Sequence, residues 1–76
     1  MQISYNKLWK LLIDRKMKKV DLMHKSHIST TSLAKLGKDE NVSMEVLKKI
    51  CTALHCDIGD IMEMTENHSS PDIRGE

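Results

Sequence analysis

Residues 18–36, Lys-Lys-Val-Asp-Leu-Met-His-Lys-Ser-His-Ile-Ser-Thr-Thr-Ser-Leu-Ala-Lys-Leu, decide the reading of this chain. They divide into two short helical segments joined by a hinge of four residues. Val20, Leu22 and Met23 lend the first segment an apolar side, and Ile28 sits in the connection. Leu33 and Leu36 follow at the i, i+3 spacing of a second buried face. Ser29 is placed to cap the second segment, because its hydroxyl can accept from N–H groups that a first helical turn leaves unpaired. Turned away from Leu33 and Leu36 are Thr30, Thr31, Ala34 and Lys35. That face carries no acid and can lie flat against another surface.

Outward from this stretch, the patterning stays helical. Leu8, Leu11, Leu12 and Arg15 trace one stripe, flanked by Tyr5 and Trp9, so a first helix is expected over 5–15 with Ser4 as its cap. Residues 16–18 link it to a second helix over about 19–25, and the third spans about 30–36. Gly37 stands where a left-handed residue would end that third helix. After a polar loop over 38–42, Ser43 caps a fourth helix on Val46, Leu47, Ile50, Ala53 and Leu54, running to about His55. Asp57 caps a short fifth helix over 58–62, with Ile58, Ile61 and Met62 inward. No strand pattern is visible, so the class is all-α: a compact five-helix domain over 1–64. Residues 65–76 lack apolar periodicity and are expected to be a disordered tail.

Composition narrows the function classes. Seventy-six residues bound one domain near the lower limit for a self-sufficient core, and with no Phe that core must be aliphatic. No apolar run is long enough to span a bilayer, and Lys7 and Lys10 break the first apolar stretch, so neither a membrane anchor nor a signal peptide is expected. Cys51 and Cys56 then read as free thiols of a cytoplasmic protein. The net charge of +1 conceals a division. Residues 7–38 hold nine Lys or Arg against Asp14 and Asp21, whereas 39–76 hold Lys48, Lys49 and Arg74 against nine acids. The basic half implies a polyanionic partner, and it is the half that contains the paired helical segments.

Two short helices hinged in this way, the second polar on its outer face, form the helix-turn-helix pattern, whose second helix enters the DNA major groove. The chain resembles the Cro/C1-type family of DNA-binding regulators, also called the Xre family, over residues 3–64. The likeness rests on Leu22, Ile28, Ser29, Leu33 and Leu36, then on Val46-Leu-Lys-Lys-Ile-Cys-Thr-Ala-Leu54 and Asp57-Ile58. The opening Ile3-Ser-Tyr-Asn-Lys-Leu-Trp-Lys-Leu-Leu-Ile13 resembles a short, single-domain Gram-positive subgroup. The resemblance implies a lambda-repressor-like fold with the helix-turn-helix at helices 2 and 3. Two positions depart from the family pattern. His27 stands where the family usually has a turn glycine, at a cost on the order of 1 kcal/mol if the backbone is left-handed there. Met23 stands where the family favours alanine.

Base edges require donors and acceptors at the groove floor. Thr30 and Thr31 offer hydroxyls and methyl groups, and Lys35 could donate to guanine O6 and N7. The resemblance implies base readers at Thr30, Thr31 and Lys35, with Lys19 as a further contact. Phosphates require charge or free N–H groups, which Lys18, Lys19 and the start of helix 2 supply. The resemblance puts Ser32, Lys38 and Asn41 on the opposite rim. A bland alternative is that the threonines only cap and solvate their helix.

Other chemistry is thin. Cys51 and His55 sit at i, i+4, but a structural zinc site needs four ligands and His24, His27 and His68 are remote, so no metal and no cofactor are expected. Cys51 falls on the core side of helix 4, where thiols are usually inert. No phosphate-cradling glycine loop or nucleophilic triad is present, so neither an enzyme nor a small-molecule binder is expected. A sequence-specific regulator of double-stranded DNA is the leading expectation. It would act as a homodimer on a pseudo-palindromic operator and pair through helices 4 and 5 with Met62 and Met64. The rival is a small helical adaptor for a protein partner, such as an antitoxin or mobile-element cofactor, and the acidic C-terminal half supports it.

Overall fold

The computed structural model describes residues 1–66. In chain order the elements are β1 (Gln2–Ser4), α1 (Asn6–Asp14), α2 (Lys19–Ser26), α3 (Thr30–Gly37), α4 (Met44–Leu54), a 3-10 turn (Ile58–Asp60) and β2 (Glu63–Thr65). The described residues are therefore mainly helical, but not all-α, and among them there is no fifth α-helix. β1 and β2 pair antiparallel, with Gln2 opposite Thr65, Ile3 opposite Met64 and Ser4 opposite Glu63. A strand of three residues has no period long enough to register in a sequence, and its partner lies at the far end of the fold. Of the tail expected over 65–76, Thr65 belongs to β2, and residues 67–76 lie outside the described residues.

Each helix buries one narrow face. Leu8 and Leu12 from α1, Leu22 from α2, Leu36 from α3, and Leu47, Ile50 and Leu54 from α4 meet Tyr5, Ile28 and Ile61 in one core. At roughly 25 cal/mol per Å² of apolar surface removed from water, this cluster is the main stabilising term of a domain this small. Two residues expected inside are not there. Val20 is 45% exposed and Ile58 37% exposed; α2 turns Leu22 and Ser26 inward, and Ile61 is buried as expected. Ser26 is tolerated in the core because its hydroxyl donates to the Leu22 carbonyl at 2.6 Å, one turn back.

The helix ends share one device. Lys16, His27, Asp39 and His55 all have positive φ, between 53° and 59°, and each follows a helix. His27 is left-handed as the turn requires, without glycine. Gly37 is not the stop expected of it; α3 includes it, and Asp39 makes the turn instead. The reason is tertiary. Asp39 Oδ1 accepts the Tyr5 N–H at 3.1 Å, and the Tyr5 hydroxyl donates to the Glu40 carbonyl at 2.8 Å. Tyr5, 1% exposed, so clamps the end of α3 to the start of α1. Ser4 closes β1 and its hydroxyl accepts the Asn6 N–H at 3.3 Å, so helix 1 begins one residue later than its pattern suggested. Arg15 leaves the apolar stripe, and its guanidinium donates to the Leu54 carbonyl at the end of α4.

Candidate nucleic-acid interface

The candidate surface is built on α3. Ser29 is its N-cap in extended conformation, and its hydroxyl accepts the Ser32 N–H at 3.1 Å. The same hydroxyl donates to Ser32 Oγ at 3.2 Å, which leaves the Ser32 proton free for an outside acceptor. Leu36 is fully buried and Leu33 packs beside it, which fixes the rotation of the helix. Thr30, Thr31, Ala34 and Lys35 are therefore exposed together on the outer face. His27 and Ile28 make the tight hinge that sets α3 against α2.

α2 presents its N-terminus with Lys18 and Lys19 exposed. Asp21 already accepts the Lys18 N–H at 2.9 Å, so one backbone donor expected for a phosphate is occupied by the chain's own carboxylate. Lys19 holds its ammonium 4.5 Å from the centre of the Trp9 ring, a cation–π contact that supports the charge at the mouth of α2. Across α3 the loop after Gly37 carries Lys38 and Asn41, both exposed, around the Asp39–Glu40 pair that Tyr5 clamps. The loop is thus held in place rather than hanging from two helices.

Of the eight residues singled out from sequence, seven are exposed and Ser32 is half-buried. Thr30, Thr31, Ser32 and Lys35 share α3, Lys19 opens α2 and Lys18 is its N-cap. Lys35 and Asn41 come together in a recess of about 610 Å³ that also takes in Gln2, Ile3, Asp39, Glu40 and Met64. β1 stands beside the end of α3, which periodicity could not reveal because the contact spans more than thirty residues. Trp9 and Tyr5 were likewise read only as stripe residues; one holds Lys19 and the other the loop.

The remaining chemistry is confined to the thiols. Burial pushes the Cys51 thiol up to about 11, with Cys56 beside it adding to the shift, and burial also raises Cys56. Among the described residues no group of three or more His, Cys, Asp or Glu could hold a metal, and no helix is long and apolar enough to cross a membrane.

A capped helix with a bare polar outer face, set by a tight left-handed hinge and flanked by lysines, defines a helix-turn-helix domain. The family model of the Cro/C1-type HTH DNA-binding domain matches residues 7–67, and the chain belongs to that family. Among solved structures it is similar to the crystal structure of the transcriptional regulator VanUg, with 60% identity and a TM-score of 0.79. That similarity covers 82% of this chain and 83% of the other. The resemblance to the Cro/C1-type family over residues 3–64 is thereby borne out. No curated protein matches the chain.

Proposed function

We propose that the protein is a sequence-specific transcription regulator that inserts α3 into the major groove of double-stranded DNA. The observation that carries this reading is the outer face of α3, with Thr30, Thr31 and Lys35 exposed one turn apart on a helix whose rotation Leu36 locks. Thr30 and Thr31 read base edges and thymine methyl groups, and Lys35 donates to a guanine. Lys19 reaches a base from its perch on Trp9. Lys18 on one side, and Ser32, Lys38 and Asn41 on the other, grip phosphates and fix the register.

One such helix covers about half of a typical site, so two copies bind a pseudo-palindrome. The pairing surface lies at the C-terminal end of the fold, where Met64 is 59% exposed. The test is selection of bound sequences from a random duplex pool, followed by titration of the enriched duplex across a salt series. A recovered inverted repeat, with a steep fall in affinity as salt rises, is the expected result. Recovery of no motif and a flat salt dependence would favour the adaptor reading instead.

A further inference from the structure

Cys51 and Cys56 stand at the end of α4, on either side of the left-handed His55. The Cys56 N–H donates to the Cys51 carbonyl at 3.1 Å, the bond that defines a Schellman turn. In that turn the third residue from the helix end faces the second residue beyond it, ordinarily through an apolar contact. Here both are thiols. Neither is sealed in the core. Both are half-buried, and both line an open recess of about 550 Å³ with Thr52, His55, Asp57 and Asp60. Cys56 also opens onto a second recess that Arg15 lines.

We propose that Cys51 and Cys56 form a paired dithiol that closes to an intramolecular disulfide by exchange with a small, neutral disulfide. Cys56, as thiolate, attacks one sulfur of the reagent; the sulfur–sulfur bond breaks and its electron pair leaves on the first small thiolate. Cys51 passes its proton to that thiolate and attacks the Cys56 sulfur, expelling the second small thiolate, which takes up the proton Cys56 had released. The two cysteines lose two electrons, and the reagent is reduced to two thiols.

Cys56 acts first because it shares a recess with Arg15, whose positive charge offsets part of the burial that raises its thiol. Asp57 and Asp60 on the rim disfavour an anionic reagent. Because burial opposes ionisation of both thiols, the reduced pair gains no electrostatic advantage that would make the bridge easy to reopen.

The test treats the full chain with excess 2-hydroxyethyl disulfide and follows intact mass. The expected product has lost two hydrogens and carries no adduct. Cys51→Ser should retain one hydroxyethylthio adduct on Cys56, and Cys56→Ser should be modified more slowly. Two stable adducts, a covalently linked dimer or an untouched chain would each overturn the proposal. The bridged form should melt at or above the reduced form; a lower midpoint would show that the bridge distorts the turn, and would overturn it as well.

Discussion

Tyr5 does more than its place on an apolar stripe suggests. Its ring fills the core, its N–H reaches Asp39 and its hydroxyl reaches the Glu40 carbonyl. Burial, followed by the Asp39 charge, raises its pKa above 10. Above pH 10 the unfolded chain therefore ionises first, and stability is lost as pH rises through the folded pKa. Tyr5→Phe should cost about 1 kcal/mol at neutral pH for the missing hydrogen bond. It should also flatten the alkaline fall in stability relative to the parent, as chemical denaturation across pH would measure. An unchanged alkaline slope would mean that Tyr5 does not set it. His27 is the other decisive residue. With φ at 59°, it sits where a Cβ is strained and glycine is not. His27→Gly should raise stability by about 0.5–1 kcal/mol and leave DNA affinity unaltered. A loss of stability would contradict the left-handed hinge.

Under the proposed function, α2 and α3 divide gripping from reading. Lys35 lies on the outer face of α3, whereas Lys18 precedes α2, beside its first turn. Lys35→Ala should cost roughly 1–3 kcal/mol on the selected site and much less on scrambled duplex, relaxing choice at one base position. Lys18→Ala should weaken both duplexes alike and lower the salt slope by about one. Equal losses on both duplexes for Lys35→Ala would make Lys35 a phosphate clamp and would require a different rotation of α3 in the groove. The elements themselves were largely legible. Apolar spacing located the four α-helices of the described residues, and Ser29 and Ser43 cap α3 and α4 as their positions indicate. What spacing misjudged were ends and orientations. Gly37 continues a helix that its residue type would stop, and Val20 turns outward, because packing of α2 against α4 outweighs local pattern.

For the whole molecule, the β1–β2 ribbon ties the two ends of the fold together and carries Met64 outward. Met64→Lys should leave the melting midpoint unchanged, since the side chain is 59% exposed, but should disrupt pairing of two copies. Affinity for a full inverted repeat would then fall toward that for a half-site, with half-site affinity preserved, in a gel-shift titration of both duplexes. Equal affinity of variant and parent for the repeat would move the pairing surface elsewhere.

By itself, the sequence determined that this is a mainly helical domain with a hinged helix pair, and which residues the second helix turns outward. Periodicity, caps and turn residues act within one or two helical turns, so they are written in neighbouring positions. The candidate site was legible for the same reason wherever it lies on α3. Only the tertiary structure decided that Gln2–Ser4 pairs with Glu63–Thr65, that Asp39 rather than Gly37 ends α3, that Trp9 holds Lys19, and that Cys51 faces Cys56 across a turn. The ribbon, the Asp39 turn and the Trp9 perch each join groups ten to sixty residues apart, and their free energy exists only once the core has brought those groups together.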